Sequence, residues 1–440
     1  MTTTPTICAV ATPPGRGGVG IVRASGPLCQ TLAESMAGRL PPPRQAAFRT
    51  FVNAEGEALD EGLVLWFPGP GSFTGEDVVE FHGHGGPVVM DRLLQRLLSL
   101  GCQLAEPGEF SRRAFLNGRI DLTRAEAVAD LIEAGSEAAA KAAIRSLQGE
   151  FGRTVERLVD QLTDLRVHLE SSIDFVEEPL EGLALESLTA RLNALADELA
   201  RARTAAGRGQ QLQEGRTVVI AGRPNAGKSS LLNALVGRDA AIVTELAGTT
   251  RDVLDAHLHL DGLPLRVLDT AGLRAGGDVV EQEGVRRARA AMADADRILL
   301  VEDDTERQAS MDEELPAGVP VSRVMNKIDL SGRVAGAHED GVAVSALTGA
   351  GLPALREHLR SALGLDDGEA VFIARRRHLQ ALDAAALALE EAQDAARSGA
   401  GEELVAESLR EAQTRLGEIT GAVSTEDLLG RIFSTFCIGK

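Results

Sequence analysis

The chain has 440 residues, a length that predicts about two to four domains, and its charged and apolar fractions are those of a globular protein. Its formal net charge of −20 argues against a broad, sequence-independent contact with a nucleic-acid backbone, although it is compatible with a nucleic acid held mainly by a partner protein. No stretch reaches 18 apolar residues, no secretory signal opens the sequence, and the four cysteines have no paired spacing. We therefore expect a cytoplasmic protein with reduced thiols and no membrane span.

Residues 1–118 are rich in Gly and Pro, which separate short β-type runs. The runs are Ile7–Ala11, Val19–Val22, Leu63–Phe67 and Val78–Phe81. This pattern predicts an α+β domain with one or two helices, one of them near 88–100.

Over 119–210 the Gly and Pro residues nearly disappear and apolar residues recur at three- and four-residue intervals, which predicts helices. Alternating strand and helix patterns occupy 211–368, and a helical pattern returns over 369–440. Two long amphipathic helices are expected there, over Leu379–Ala395 and Leu404–Ile419. The simplest interpretation is a discontinuous all-α domain with an α/β nucleotide domain inserted into it.

The strand-like run Thr217–Ala221 leads directly into Gly-Arg-Pro-Asn-Ala-Gly-Lys-Ser over 222–229, and a helical run follows. A strand, a GxxxxGKS loop and a helix are the context of a phosphate-binding P-loop, whose backbone N–H groups surround the phosphates. Lys228 is expected to reach the β- and γ-phosphates, and the Ser229 hydroxyl to bind Mg²⁺. The flanking elements disfavour a chance match.

Two further segments lie where nucleotide-sensing loops are expected: Gly248-Thr249-Thr250-Arg251-Asp252 and Asp269-Thr270-Ala271-Gly272. Thr250 is the candidate second protein ligand of Mg²⁺. Asp269 would hold Mg²⁺ through water, and the Gly272 N–H would contact the γ-phosphate.

Two segments are predicted to recognise the base: Asn326-Lys327-Ile328-Asp329 and Ser345-Ala346-Leu347. The Asp329 carboxylate can accept hydrogen bonds from the ring N–H and the exocyclic amine of guanine, whereas adenine offers no such donor pair. GTP is therefore the expected substrate. Leu347 stands where related proteins usually have Lys, which predicts looser stacking on the base.

Leu273 follows Gly272, at the position where Ras-like proteins have a glutamine that orients the attacking water. A leucine side chain cannot do so. Either the rate of GTP hydrolysis is severely reduced or another group orients the water. Nearby candidates for that group are Asp278, Glu281 and Glu283. A solvated acidic loop is the alternative for these three residues.

Four more segments surround the nucleotide domain in a recognisable order. They are 11–23 (Ala-Thr-Pro-Pro-Gly-Arg-Gly-Gly-Val-Gly-Ile-Val-Arg), 72–77 (Ser-Phe-Thr-Gly-Glu-Asp), 107–117 (Pro-Gly-Glu-Phe-Ser-Arg-Arg-Ala-Phe-Leu-Asn) and 437–440 (Cys-Ile-Gly-Lys). With them, nearly the whole chain resembles the MnmE (also called TrmE) family of bacterial tRNA-modification GTPases. The resemblance implies a homodimer with an N-terminal folate-binding and dimerisation domain, a discontinuous helical domain and an inserted Ras-like P-loop G domain.

The resemblance also implies that two G domains face each other and hydrolyse GTP with the help of K⁺. By position, Asn225, Thr244, Leu246 and Thr249 match the potassium-binding residues, and Glu281 matches the glutamate that orients water. For Asn225, a role in stabilising the loop is the alternative. The predicted GTP contacts are then Asn225, Ala226, Gly227, Lys228, Ser229, Ser230, Thr244, Glu245, Leu246, Ala247, Gly248, Thr249, Thr250, Asp269, Thr270, Ala271, Gly272, Asn326, Lys327, Asp329, Ser345, Ala346 and Leu347.

A 5-formyl- or methylene-tetrahydrofolate is the implied one-carbon donor. By position, its contacts match Arg23, Glu80, Arg119 and Lys440, with Arg119 replacing the family's usual Lys. Without the resemblance, all four would be read as surface charges.

Cys437 has three interpretations: a prenylation signal, which the terminal Lys disfavours, a catalytic residue near the one-carbon unit, or a buried small residue that packs the tail. Together with Glu281 and Lys228 it completes the candidate catalytic set. His82 and His84 flank a Gly-rich turn and lack convincing metal spacing, which favours a role in loop structure.

The reaction implied by the resemblance is modification of carbon five of the wobble uridine of certain tRNAs to an aminomethyl-type group. The implied partner is a flavoprotein of the MnmG (GidA) family, bound in a heterotetramer. The alternative is a regulatory GTPase in ribosome assembly, related to Era or EngA and without chemistry of its own. The terminal Cys-Ile-Gly-Lys and the folate-like N-terminal region favour the first interpretation.

Overall fold

The computed structural model describes residues 4–174, 185–236, 254–260, 263–269, 286, 289–306, 315–363 and 372–439. The chain forms two compact units: 1–132 with 146–202 and 380–440, and 133–145 with 203–379. Mixed sheets and long helices confirm the predicted multidomain fold with α+β and α/β parts. Among the described helices, none has the length and apolar character that crossing a bilayer demands.

The first unit contains a six-stranded sheet with the order β3-β4-β5-β2-β1-β6. The strands are β1 (Ile7–Val10), β2 (Gly17–Ser25), β3 (Ala47–Val52), β4 (Ala58–Phe67), β5 (Val78–Gly85) and β6 (Gln103–Leu104). Neighbouring strands are antiparallel except for β1 and β6, which are parallel. The four predicted β-type runs are therefore confirmed as β1, β2, β4 and β5.

One face of this sheet is covered by apolar side chains because successive residues of a strand point to opposite faces. In β5, Val79 and Phe81 are buried in the core, where Phe81 meets Phe51 edge to face at 5.6 Å. Glu80 and His82 point to the other face. The alternation therefore places the polar residues of β5 together outside the core.

Residues 4–118 contain three described helices: α1 (Cys29–Ala37), α2 (Pro87–Ser99) and α3 (Glu109–Leu116). The sequence pattern predicted one or two, and only α2 was anticipated by position. Helices α1 and α3 have nine and eight residues. Such lengths show barely two turns of the helical apolar period, which is too little for a clear pattern.

The helical regions contain further described helices, of 8 to 30 residues. They are α4 (Leu122–Glu133), α5 (Glu137–Leu147), α6 (Glu150–Asp174), α7 (Leu185–Glu214), α11 (Arg376–Ser398), α12 (Glu402–Thr420) and α13 (Glu426–Phe433). Between α7 and α11 in the chain lie α8 (Lys228–Val236), α9 (Ile328–Ser331) and α10 (Leu352–Ala362). The two predicted amphipathic helices are confirmed as α11 and α12. Gln413 of α12 accepts a hydrogen bond from Arg166 and donates one to Thr163 of α6, which joins the two parts of the discontinuous helical region.

The second unit is built on a seven-stranded sheet with the order β12-β13-β11-β10-β7-β9-β8. Its strands are β7 (Arg216–Ala221), β8 (Leu254–Leu260), β9 (Leu263–Asp269), β10 (Arg297–Asp303), β11 (Val321–Asn326), β12 (Gly336–His338) and β13 (Gly341–Ala343). Its helices include α8 (Lys228–Val236), α9 (Ile328–Ser331) and α10 (Leu352–Ala362). The five central strands are parallel, and β8 and β12 are antiparallel edges.

The central strands β7 and β10 contain continuous apolar runs, as expected for strands covered on both faces. Val219, Ile220 and Leu299, for example, are almost completely buried. The carboxyl ends of β7, β10 and β11 lie side by side, and in a parallel sheet this is the edge at which ligands bind.

Candidate functional site

The GxxxxGKS segment forms the turn between the buried strand β7 and helix α8. Lys228, the first residue of α8, is 7% exposed, and its ammonium group donates to the carbonyl oxygens of Gly222 (3.0 Å) and Arg223 (2.8 Å). Ser229 and Ser230 follow in the first helical turn. A lysine and a helix N-terminus together favour a bound phosphate.

Three residues of this turn have positive φ: Gly222 (+146°), Asn225 and Gly227. Gly227 has φ +92°, and a Cβ there would stand 2.2 Å from the side-chain nitrogen of Asn326. Asn225 has φ +64°, a conformation that Asn tolerates better than most residues. The backbone alone therefore gives Asn225 a structural role, which is the alternative to its predicted role in binding K⁺.

Asn326 joins three of the five predicted nucleotide segments. It is 2% exposed, donates to the Ala226 carbonyl (2.9 Å) and accepts from the Ala346 N–H (3.0 Å). One side chain therefore holds the P-loop and the two predicted base-recognition segments together, although the P-loop is about a hundred residues away from Asn326 in sequence.

The predicted guanine acceptor is oriented by the second base-recognition segment. The buried hydroxyl of Ser345 donates to the Asp329 carboxylate at 2.5 Å, and Ser345 is itself held by its N–H to the Ala350 carbonyl (2.8 Å). The Leu347 side chain is 86% exposed. Asp329 therefore has a fixed carboxylate with one oxygen still available to a ligand.

Asp303, at the end of β10, is a polar residue near this site that sequence motifs did not indicate. Its carboxylate forms an ion pair with Lys327 at 2.6 Å. Burial raises the pKa of Asp303, but hydrogen bonds from Lys327 and Thr305 outweigh burial and hold that pKa below its usual value. In the sequence, the only indication of a role for Asp303 is its position at the carboxyl end of a predicted strand.

Several predicted residues lie outside the described part of the chain: Thr244, Glu245, Leu246, Ala247, Gly248, Thr249, Thr250, Thr270, Ala271, Gly272, Glu281 and Lys440. The same is true of Leu273, Asp278 and Glu283. The backbone of Asp269 is described as the last residue of β9, in register with Ile220. The roles predicted for all these residues stay predictions.

A second polar cluster lies in the first unit, on the face of the sheet opposite the core. Arg23 of β2 is directly opposite Glu80 of β5, and they form an ion pair at 2.8 Å. His82 contacts the second Glu80 oxygen at 3.0 Å, and the Arg23 guanidinium lies 5.7 Å from the ring centre of Phe110. Burial raises the pKa of Glu80, yet His82 and Arg23 together hold that pKa below its usual value.

The C-terminal tail reaches the same end of this sheet. A Cβ on Gly439, which has φ +92°, would stand 2.5 Å from the carbonyl oxygen of Val10. Val10 pairs with Val22, the neighbour of Arg23, so two of the predicted folate contacts and the tail lie close together. The Cys437 side chain is exposed, so its interpretation as a buried residue that packs the tail is wrong. The backbone carbonyl of Cys437 accepts from the Gly108 N–H at 3.3 Å.

Arg119 lies beside Gly75, since a Cβ added to Gly75 would stand 3.2 Å from the side chain of Arg119. Within the described residues, no hydrogen bond or ion pair joins Arg119 to Arg23 or Glu80. His84 is bound to Asp60 through both its ring and its backbone N–H, each at 2.7 Å. In the described ranges, no group of three or more His, Cys, Asp or Glu residues could hold a metal ion.

A mainly parallel sheet, a GxxxxGKS turn at the end of a central strand, and an Asn-Lys-x-Asp segment at the end of a strand in the same sheet define a P-loop GTPase. A family model of the MnmE helical domain matches residues 122–437, and one of the GTP-binding protein TrmE N-terminus matches residues 6–119. The chain therefore belongs to the MnmE family.

Individual relatives agree with this assignment over the full length. The tRNA modification GTPase MnmE of Alkalilimnicola ehrlichii is 57% identical over 442 residues, and that of Pseudomonas fluorescens is 54% identical over 451 residues; each match covers 99% of both chains. Among solved structures, the G domain of the T. maritima FeoB iron transporter is 26% identical, with a TM-score of 0.25, over 34% of this chain and 96% of that one.

Proposed function

We propose that this protein hydrolyses GTP to drive modification of carbon five of the wobble uridine of certain tRNAs to an aminomethyl-type group. The observation that carries the proposal is the extent of the similarity to relatives named tRNA modification GTPase MnmE. It covers 99% of the chain, and so includes the N-terminal and helical regions as well as the GTPase part. A GTPase of another class would be similar to this chain only over the GTPase part.

In the proposed nucleotide site, Lys228 and the P-loop N–H groups bind the β- and γ-phosphates. Ser229 and Thr250 bind Mg²⁺, which neutralises charge on the phosphates during hydrolysis. The described donors fit this role, because Lys228 is held at the first turn of α8. Asp329 selects guanine, with Ser345 fixing the orientation of its carboxylate.

We further propose that hydrolysis requires two G domains and K⁺. Leu273 cannot orient water, so Glu281 takes this role, and Asn225, Thr244, Leu246 and Thr249 supply oxygen ligands to K⁺. A fixed cation between the phosphates would stabilise the charge that develops there. The homodimer required for this arrangement is part of the proposal.

The polar cluster of the first unit is proposed to bind a 5-formyl- or methylene-tetrahydrofolate, the one-carbon donor. Glu80 suits the amidine-like edge of the pterin ring, and the cations Arg23, Arg119 and Lys440 suit the carboxylates of the folate. The donor set fits such a ligand, because Glu80 is held ionised by two neighbours and is 13% exposed. Cys437 of the nearby tail is a candidate for the chemistry on the one-carbon unit.

A flavoprotein of the MnmG (GidA) type is the proposed partner, in a cytoplasmic heterotetramer that binds tRNA. The formal net charge of −20 supports a division of labour in which the partner provides most of the contact with tRNA.

Reconstitution tests the proposal. The purified chain, the flavoprotein, tRNA, the tetrahydrofolate donor and a nitrogen donor are incubated with GTP or a non-hydrolysable analogue, and wobble nucleosides are measured by mass spectrometry. We expect the modified uridine only with GTP and folate, and its loss with Arg23→Ala. Asp60→Asn, which removes a carboxylate that contacts His84 rather than Glu80, is the matched control and should retain activity. Modification that proceeds equally without GTP hydrolysis would reject the proposal.

A further inference from the structure

We propose that Asp303 is a positioning residue for the guanine nucleotide: its carboxylate holds Lys327 against the wall of the nucleotide site. This inference rests on the proposed nucleotide site. Asp303 belongs to none of the segments that identify a GTPase, and it is supplied by a strand whose sequence carries no phosphate- or base-binding motif.

The backbone brings the two residues together. Asp303 and Asn326 are the last residues of β10 and β11 and lie opposite each other in the parallel ladder. The N–H of Asp304 donates to the Asn326 carbonyl at 3.0 Å, which extends the pairing beyond the strands. Lys327, the next residue, therefore leaves the sheet beside Asp303.

The Asp303 carboxylate is itself held in one orientation. One oxygen accepts from the N–H (3.0 Å) and the hydroxyl (2.6 Å) of Thr305, and the other contacts the Lys327 ammonium at 2.6 Å. The side chain is only 13% exposed. A carboxylate with fixed orientation can direct its partner, whereas a mobile surface acid cannot.

Lys327 faces the nucleotide segments. Its backbone has φ +67°, and it lines a cavity of about 690 Å³ together with Asp303 and the P-loop residues Gly222–Ala226. A lysine has a long flexible stem, and phosphates in the P-loop would attract its ammonium group. The ion pair keeps that group at the wall of the cavity and leaves the stem ordered before the nucleotide arrives, which reduces the entropy cost of binding.

The adjacent acid provides a matched control. Asp304 lines the same cavity, but it contacts Arg333 at 3.1 Å and the Ser331 hydroxyl at 2.5 Å. Asp304→Asn removes the same charge from the same cavity without touching Lys327. Asp303→Asn keeps an oxygen for Thr305 while losing the ion pair.

The experiment uses the full chain and measures the dissociation constant of a fluorescent GDP, together with KM and kcat for GTP. We expect Asp303→Asn to weaken GDP binding and raise KM about 5- to 20-fold, with kcat changed less than about twofold. Asp304→Asn should stay within about twofold of the wild type in all three quantities. Lys327→Ala should weaken binding at least as much as Asp303→Asn, and the double variant should be no weaker than Lys327→Ala alone, because the two residues act as one unit.

Additive effects in the double variant, or equal effects of Asp303→Asn and Asp304→Asn, would overturn the positioning role. If Lys327→Ala weakens binding and Asp303→Asn does not, the positioning role fails while the proposed nucleotide site stands. If Lys327→Ala leaves GDP binding unchanged, both the positioning role of Asp303 and the proposed contribution of Lys327 to the nucleotide site are rejected.

Discussion

At the scale of single residues, the base-recognition geometry depends on one hydroxyl. Ser345 is fully buried and donates to the carboxylate of Asp329, whose side chain is otherwise exposed. Ser345→Ala would leave Asp329 free to rotate, so guanine would have to order it on binding.

We expect Ser345→Ala to raise KM for GTP about fivefold, the effect of one hydrogen bond of about 1 kcal/mol to a partly solvated acceptor, with little change in kcat. Steady-state hydrolysis assays would measure this. Thr348→Ala removes a hydroxyl of the same loop whose one hydrogen bond within the described residues is from the Ala350 N–H, and the variant should behave like the wild type. Equal KM values for Ser345→Ala and the wild type would contradict the role given to Ser345.

A half-buried histidine, His358, predicts a pH dependence for the second unit. Arg297 donates to the Ser322 hydroxyl (2.9 Å), which is 2.7 Å from Nε2 of His358 and can donate to it. Burial and, to a smaller extent, the Arg297 charge lower the pKa of His358 below its usual value. Because the unfolded chain then binds more protons, stability decreases as the pH falls below about 6.5, the ordinary histidine pKa.

Histidine NMR spectra of the wild type and His358→Gln would identify the His358 resonance, which we expect to titrate below pH 6.5. The loss of thermal stability between pH 7.5 and 5.5 should be smaller in His358→Gln, whereas His338→Gln, at an exposed site, should match the wild type. A His358 pKa at or above the ordinary value would contradict this assignment.

At the scale of elements, the P-loop turn requires a glycine for a specific steric reason. An added Cβ at Gly227 would approach the Asn326 side chain to 2.2 Å and displace the residue that joins three segments. Gly227→Ala should therefore weaken GTP binding by about tenfold or more, the cost of losing several buried hydrogen bonds.

Gly332 separates this effect from backbone strain. It also has positive φ, +79°, but a Cβ there would meet nothing within 4 Å. Gly332→Ala should lower stability by about 1–2 kcal/mol and leave GTP binding unchanged. Fluorescent-nucleotide titration and thermal unfolding of both variants test the distinction, and similar GTP affinities for the two would show that the steric argument is wrong.

The same scale shows why part of the site could be predicted from sequence. The P-loop and the Asn-Lys-x-Asp segment are local, since a strand, a turn and a helix follow each other within about twenty residues, and the structure places both at the ends of central strands. The long helices α11 and α12 show several turns of apolar period. The short helices α1 and α3 do not, and they were missed.

Contacts between distant segments could not be predicted. The Asp303–Lys327 pair depends on β10 lying between β7 and β11, and strand order is not encoded in any local pattern. The approach of Gly439 to Val10 joins the two ends of the chain. The folate contacts came from the family resemblance alone, although the Arg23–Glu80 pair explains how two of them meet.

At the scale of the whole molecule, the proposed role of K⁺ requires two chains to cooperate in hydrolysis. GTPase activity should rise several-fold in K⁺ over Na⁺, because the proposed K⁺ would stabilise the charge that develops between the phosphates. Equal rates of GTP hydrolysis in both salts would contradict the proposed role of K⁺.

Asn225→Gly separates the two interpretations of Asn225. Glycine adopts φ +64° without strain, so the turn is kept while the carboxamide is lost. If Asn225 binds K⁺, Asn225→Gly should lose the stimulation by K⁺ and retain GDP binding. If Asn225 only shapes the loop, the variant should respond to K⁺ like the wild type.

The central claim is that this GTPase site serves the modification of tRNA, and the wobble nucleosides of a deletion strain test it most directly. Mass spectrometry of tRNA should show that carbon five of the wobble uridine is unmodified in the deletion strain. The modification should return with the wild-type chain and not with Lys228→Ala. Normal wobble uridines in the deletion strain, or full restoration by Lys228→Ala, would contradict the account.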